Sequence, residues 1–157
     1  MAKGNRMNLL RIALVAAVLP LMALAQETPA PTTGIAPVTA AQVVWDDLLY
    51  LKRPVVVFAD SPNDPNFIRQ MELIARDTGQ LAARDVILII DSDPAALSEV
   101  RRKLRPRGFS LVLLDKDLRP VIRKPLPWDV REITNAIDKF PLRRQEIQQG
   151  AGRAVGG

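Results

Sequence analysis

The heptapeptide Arg-Pro-Val-Val-Val-Phe-Ala at residues 53–59 is an arginine followed by a continuous apolar run that is rich in β-branched side chains. Such a run is typical of a central strand that is buried on both faces of a sheet. Residues 85–91 (DVILIID) and 109–114 (FSLVLL) have the same character and predict two more buried strands. Residues 120–123 predict a short fourth strand, and the proline at its start favours the edge of the sheet.

Helical patterns lie before and between these strands. Thr39 is expected to cap an N-terminal helix that continues through residue 51, while Asp64 and Pro65 predict the start of the next helix. Asp93 predicts the start of a third helix, and a fourth is expected to begin near residue 127. The positions expected to face the core are Val44, Leu48 and Leu51 in the first helix, Phe67, Met71, Ile74 and Ala75 in the second, Ala96, Leu97, Val100 and Leu104 in the third, and Val130, Ile133, Ile137 and Phe140 in the fourth.

The order of these elements is β-α-β-α-β-β-α, with one additional helix in front. Two buried strands joined by a helix form a right-handed parallel unit, and a closing hairpin adds two antiparallel strands. The pattern therefore predicts an α/β fold of thioredoxin-like topology, with a four-stranded mixed sheet and an extra N-terminal helix.

The first 25 residues have the pattern of a secretory signal peptide. Three cations and no acid precede fourteen uncharged residues, and the segment ends in Ala-Leu-Ala. Fourteen helical residues span about 21 Å, which is short of the roughly 30 Å hydrocarbon core that a permanent anchor must cross. We expect cleavage after Ala25, a periplasmic or extracellular location and no transmembrane span in the mature chain. A flexible linker at 26–40, one domain at 41–147 and a disordered tail at 148–157 complete the predicted organisation.

The composition excludes several classes of function. The chain contains no cysteine and no histidine, which rules out disulfides, the usual zinc and haem ligand sets and catalytic pairs that need either residue. Its net charge of +5 includes three cations of the predicted signal, so the mature chain carries 19 basic and 17 acidic residues, or +2. This near balance argues against nucleic-acid binding. The sequence predicts no cofactor and no metal.

Several segments, taken in order, resemble domain of unknown function 4174 (DUF4174), an exported bacterial family with a thioredoxin-like fold. The resemblance covers residues 45–147 and carries no established activity. The segments are residues 52–59 (KRPVVVFA), 69–70 (RQ), 84–85 (RD), 109–117 (FSLVLLDKD) and 137–146 (IDKFPLRRQE).

Comparison with thioredoxins excludes one activity. Their redox Cys-x-x-Cys lies between the first strand and the first helix, where this chain has Asp-Ser-Pro-Asn-Asp-Pro at residues 60–65. The cis-proline expected near residues 109–110 is also missing. The sequence therefore excludes a thiol-disulfide oxidoreductase.

Ser61 and Asn63 occupy the loop where this fold places its active groups. A hydroxyl at a helix start can bind an anion or, beside a base, act as a nucleophile, whereas turn and capping roles are the alternative that the sequence favours. The pairs Asp91 and Asp93, and Asp115 and Asp117, could each contribute to a cation site, but capping and turn roles are again favoured.

Two groups of cations are candidates for an interaction surface. The denser group has five basic residues within seven positions, and the alternative interpretation is a solvated helix end in which Glu99 pairs with Lys103. Its members are Arg101, Arg102, Lys103, Arg105 and Arg107. Arg143 and Arg144 follow Pro141 in a short helical segment, where Leu142 and Ile147 are expected to fold back on the core. These two arginines are expected to pair with core carboxylates or to extend the binding surface.

The sequence leaves three functions open. The first is a non-enzymatic module that binds a protein or another envelope component. The second is a hydrolase or transferase that uses Ser61 with help from a lysine or a carboxylate. The third is peripheral binding to an anionic membrane through residues 101–107. The sequence predicts neither a substrate nor an oligomeric state.

Overall fold

The computed structural model describes residues 34–155, and the side chains of residues 34–150. The predicted signal peptide, its cleavage site and the first part of the predicted linker lie outside the described residues. The described residues form an α/β structure around one mixed sheet. Its strands are β1 (Val38–Thr39), β2 (Arg53–Phe58), β3 (Val86–Asp91), β4 (Ser110–Leu114) and β5 (Pro120–Lys124).

The strand order across the sheet is β1-β3-β2-β4-β5. Strand β3 is parallel to both β1 and β2, whereas β4 is antiparallel to both β2 and β5. The mixed α/β class is confirmed, but the predicted count of four strands is wrong. The fifth strand, β1, pairs Val38 with Ile89 and lies inside the stretch predicted as a linker. Two residues are too few to produce an alternating pattern that sequence analysis can detect.

The predicted N-terminal helix is also wrong, because two short 3-10 turns, Ala40–Gln42 and Trp45–Leu48, replace it. The residues between the turns are extended, as β-branched valines favour. Val44 and Leu51 are therefore 61% and 66% exposed instead of facing the core. Ala40, Trp45 and Leu48 are the residues that the two turns bury.

The described residues form five α-helices, namely α1 (Pro65–Ala75), α2 (Thr78–Ala82), α3 (Glu99–Leu104), α4 (Val130–Ile137) and α5 (Pro141–Val155). Helix α1 begins where Asp64 and Pro65 predict it, since the Asp64 carboxylate accepts hydrogen bonds from two backbone N–H groups of the first turn. Helix α5 is longer than the predicted turn after Pro141, because it extends to Val155. Ile147 is 47% exposed and does not fold back on the core.

The helix predicted to begin at Asp93 is interrupted. Asp93 caps only a 3-10 turn, Pro94–Ala96, and Leu97 then adopts a left-handed conformation with φ of 45°. Leu97 is consequently exposed and not a core residue. Helix α3 starts afresh, with the Ser98 hydroxyl accepting a hydrogen bond from the N–H of Arg101 at 3.0 Å.

Both faces of the sheet are covered by apolar residues. One core includes α1, α2 and α4, and the other includes α3 and the two early 3-10 turns. Strands β2 and β4 are fully buried between the two cores, which leaves β1 and β5 at the edges. Among residues 34–155, no helix is both long and apolar enough to cross a membrane.

Candidate functional site

The loop after β2 holds Ser61 and Asn63. The Ser61 hydroxyl accepts a hydrogen bond from the Asn63 N–H at 3.1 Å, and Asn63 itself is exposed. Asp64 accepts hydrogen bonds from Asn66 N–H at 2.8 Å and Phe67 N–H at 3.2 Å. These are the contacts of a turn followed by a helix cap. In the described part of the chain, no lysine or carboxylate is hydrogen-bonded to the Ser61 hydroxyl.

Arg101 does not lie with the rest of the basic group at residues 101–107. Its guanidinium turns inward and forms an ion pair with Asp91, with Nη2 2.8 Å from Oδ1. The same guanidinium donates to the carbonyl oxygen of Ala59 at 2.8 Å, and only 10% of its side chain is exposed. Ser98 also donates to Asp91. Arg101 therefore joins the C-terminal ends of β2 and β3 to α3.

The carboxylates considered for cation binding are engaged elsewhere. Asp91 pairs with Arg101, Asp93 accepts from Ala95 N–H at 3.0 Å, and Asp117 accepts from Arg119 N–H at 3.1 Å. Asp115 is bonded to Arg53, as described below. Among the described residues, no group of three or more carboxylates is arranged to hold a metal ion.

Arg102 and Lys103 lie on the exposed side of α3. Lys103 pairs with Glu99 at 3.4 Å, as their spacing predicts, and its ammonium lies 6.0 Å from the centre of the Trp45 ring. Arg102 donates to the carbonyl oxygen of Leu97 at 2.8 Å. Arg102 is thus held against the turn before α3, and Lys103 against its own helix and Trp45.

The remaining members of the group, Arg105 and Arg107, meet Arg123 of β5. Arg105 adopts the left-handed conformation, with φ of 46°, and ends α3. This turn carries the chain past the start of β4, so that Arg105, Arg107 and Arg123 line one cleft of about 450 Å³ together with Phe109, Ser110 and Pro125. We call this cleft the arginine cleft.

Arg123 is anchored on the wall of the arginine cleft. Its guanidinium donates to the Leu104 carbonyl oxygen at 2.7 Å and approaches the Ser110 hydroxyl at 3.5 Å. Among the described residues, no carboxylate lies within ion-pair distance of Arg105, Arg107 or Arg123. Three guanidiniums and a hydroxyl form a surface that favours anions, since arginine binds carboxylates and phosphates through two parallel hydrogen bonds.

Arg143 and Arg144 lie at the opposite end of β4 from the arginine cleft. The Leu142 N–H donates to Asp115, which directly follows the C-terminal end of β4, at 3.1 Å. Arg143 pairs with Asp138 and with Glu146, each at 3.4 Å, whereas the Arg144 side chain is exposed. The structure thus separates these two arginines from Arg105 and Arg107.

Arg53 is the centre of an ion-pair network at that end of the sheet. It is fully buried, and its guanidinium bonds to Asp115 at 3.1 Å, to Glu146 at 2.9 Å and to the Arg84 carbonyl oxygen at 3.0 Å. A buried guanidinium needs such partners because desolvation of an unpaired charge is costly. Arg53 thereby connects β2, the loop after β4 and helix α5.

Two further cations complete the ion-pair network. Lys116 contacts both Asp85 at 2.8 Å and Glu146 at 2.9 Å. Arg84 holds Asp138 through two hydrogen bonds of 2.9 and 2.7 Å. We use the name ion-pair network for the following residues: Arg53, Arg84, Asp85, Asp115, Lys116, Asp138, Arg143 and Glu146.

The network shifts the titration of three of its members. Burial acts to raise the pKa of Glu146, but hydrogen bonds from Arg53 and Lys116 outweigh it and lower the pKa to about 2. Burial acts to lower the pKa of Lys116, but its bonds to Asp85 and Glu146 outweigh burial and raise it. The hydrogen bond from Arg84 is the main cause of the lowered pKa of Asp138; burial opposes it and Arg143 adds to it.

Sequence reasoning singled out Arg143, and considered Asp115 only as a cation ligand, but it missed the other network residues, although all of them lie in the segments that carry the family resemblance. The network residues hold β2, the loop after β4 and helix α5 together, because each cation has carboxylate partners and the central Arg53 is buried away from water. Arg123 was also missed as a site residue. Its only signal in the sequence was its place on a predicted edge strand.

Residues 46–146 match the model of a family described as Domain of unknown function (DUF4174). The match covers every strand except β1 and includes both the arginine cleft and the ion-pair network. No curated protein matches the sequence.

Proposed function

Because this chain belongs to the DUF4174 family, whose description assigns no activity, we propose a function from its own geometry: an exported, non-redox, thioredoxin-like module that binds an anionic protein partner. The arginine cleft is the proposed binding surface. Export rests on the signal-like pattern of residues 1–25, and a periplasmic or extracellular location follows from it.

The thioredoxin-like assignment is supported by the order β3-β2-β4-β5, in which only β4 runs antiparallel to the other three strands. The loop after β2 is the place where thioredoxins carry their two cysteines, and this chain has no sulfur there. A module that keeps the scaffold but lacks the thiols is suited to binding. The contacts of Ser61 and Asn63 within the loop fit a structural role there.

The observation that carries the proposal is that three arginines converge on one cleft and have no carboxylate partner among the described residues. Elsewhere in the described chain, the buried or half-buried Arg53, Arg84 and Arg101 are paired with acids. Within that same part of the chain, the exposed Arg76 and Arg131 are unpaired like the cleft arginines but lie outside this cleft, so convergence is what distinguishes the cleft. Neighbouring unpaired cations repel one another, and a bound anion removes that repulsion. The cleft is concave and comparable in volume to small-ligand sites, so it suits the carboxylates of a protein segment.

Affinity capture from the native envelope tests the proposal with a matched pair of variants. Arg105→Glu/Arg107→Glu reverses the charge of the cleft, and Arg76→Glu/Arg131→Glu makes the same change at two other exposed arginines. We expect proteins retained by the wild type and by the control to be lost with the cleft variant. Equal retention by both variants would refute the cleft as the binding surface.

A flotation assay with anionic phosphatidylglycerol vesicles tests the membrane alternative. Salt-sensitive binding to vesicles that disappears in Arg105→Glu/Arg107→Glu, without loss of any captured protein, would transfer the function to a lipid surface. Thermal melting of all variants checks that each remains folded.

A further inference from the structure

Strand β5 has a free edge among the described residues. It ends the sheet, and its only strand partner there is β4, with Val112 opposite Arg123 and Leu113 opposite Ile122. In an antiparallel pair, alternate residues direct their N–H and C=O groups away from the partner strand. An edge of this kind is a template on which another strand can add.

The two faces beside this edge differ in character. On the α3 side, Arg123 projects into the arginine cleft. On the α4 side, Ile122 lies in an apolar groove of about 470 Å³ that also includes Trp128, Ala136 and Phe140. Glu132 and Lys139 line the groove as well, and their opposite charges balance.

Trp128 is held in place at this groove. The buried side chain of Gln70 accepts a hydrogen bond from the backbone N–H of Trp128 at 2.9 Å and donates one to the backbone carbonyl oxygen of Trp128 at 2.7 Å. Lys124 places its ammonium 4.3 Å from the centre of the Trp128 ring. The groove is therefore a formed surface that does not need a partner to create it.

We propose that β5 takes up an extended segment of the anionic partner as a sixth strand, and that acidic and apolar side chains alternate along this segment. The inference rests on the proposed function and adds the chemistry of the partner. Side chains of neighbouring strands lie side by side on the same face. One row of the added strand would thus meet the arginine cleft, and the other row would meet the apolar groove.

The charges at the edge also select the occupant. A second copy of this chain that paired through its own β5 would bring the cations Arg123 and Lys124 of the two copies close together. Such like charges at an edge oppose self-pairing. An acidic strand meets the same cations with attraction, and exposed Val121, 46% accessible, offers it further apolar area.

Fluorescence anisotropy with synthetic peptides tests the proposal on the purified protein. The probe is a labelled peptide of about eight residues in which glutamate and valine alternate, long enough to cover an ordinary strand. The control peptide has the same composition in two blocks, glutamates first and valines second. We expect the alternating peptide to bind at least about tenfold more tightly, since only it can satisfy both faces at once.

Backbone methylation distinguishes strand addition from simple charge attraction. One modified probe carries N-methyl groups on all its glutamates and another carries them on all its valines. Only one of these two sets can direct its N–H groups toward β5, so one probe should lose binding by about tenfold or more and the other should keep it. Slower hydrogen exchange at residues 121–124 in the presence of the unmodified probe is expected as well.

The outcomes separate the two proposals. Equal binding of both methylated probes, equal binding of the block peptide, or no binding of any peptide would overturn the sixth strand. In each of these cases the proposed function still stands if Arg105→Glu/Arg107→Glu loses its captured partner. Binding only to phosphatidylglycerol vesicles would overturn both.

Discussion

The two ends of strand β4 use the same kind of side chain in opposite ways. At the C-terminal end, in the ion-pair network, every arginine is matched by carboxylates, and Arg53 is fully buried. At the N-terminal end, Arg105 and Arg107 are exposed and, among the described residues, have no carboxylate partner. The number of arginines at each end therefore does not indicate whether they are paired, whereas the position of the acids does.

The difference has an energetic meaning. Removing one partner from a buried ion pair leaves the other charge desolvated, which destabilises the fold strongly. Removing an exposed, unpaired cation leaves nothing uncompensated and changes stability little. We therefore expect substitutions in the ion-pair network to lower the stability of the fold, and substitutions in the arginine cleft to weaken binding.

The largest expected effect is at Arg53. Arg53→Met keeps the unbranched stem of the side chain but removes the guanidinium, which leaves buried Asp115 without its cation. We expect the free energy of unfolding to fall by about 3–5 kcal/mol. Arg107→Met, the matched change in the arginine cleft, should remain within about 0.5 kcal/mol of the wild type. Urea denaturation of both variants measures the two losses in the free energy of unfolding. Similar losses would contradict the prediction.

Glu146 should make stability depend on pH. Its pKa in the folded chain is about 2, below the ordinary value of 4.5, so folding favours the ionised form. The stabilisation is fully present above about pH 4.5 and is lost as the pH falls toward 2. Glu146→Gln should cost about 1.5 kcal/mol at neutral pH, as for one hydrogen bond to a charged group. Unfolding curves from pH 7 to about pH 2.5 check this, and a constant difference between the two proteins would contradict the role of the charge.

The smallest effect concerns Arg143 and Arg144, which are adjacent in sequence but differ in contacts. Arg143→Ala removes two partly exposed ion pairs and should cost up to about 1 kcal/mol. Arg144→Ala removes an exposed side chain and should be neutral for stability within about 0.5 kcal/mol. Chemical denaturation of the two single variants provides the comparison. Equal losses would show that the contacts of Arg143 with Asp138 and Glu146 contribute nothing.

The sequence predicted the parts of the fold that depend on local pattern. Strands β2, β3 and β4 are continuous apolar runs, and Asp64 with Pro65 marks the start of α1 without reference to any distant residue. The sequence did not predict strand β1, because its two residues are held extended only by pairing with the distant strand β3. Leu97 was assigned to the core because a left-handed residue inside an otherwise periodic helix pattern leaves no trace in that pattern.

The candidate surface was harder to predict because it depends on distant pairing. The five cations within residues 101–107 look alike in the sequence, but Arg101 forms an ion pair with Asp91, and Lys103 forms one with Glu99. Arg123 joins Arg105 and Arg107 only because β5 pairs with β4. Arg53 looked like the polar start of a strand, although its acidic partners lie 62 and 93 residues further along the chain.

Those separations limit which shortened chains can complete the fold. Asp115 and Glu146, the carboxylates that accept from Arg53, follow it by 62 and 93 residues. A chain without the last helix would bury the guanidinium without Glu146, and burying an incompletely paired charge is costly. We therefore expect this end of the sheet to close only in a chain that reaches Glu146.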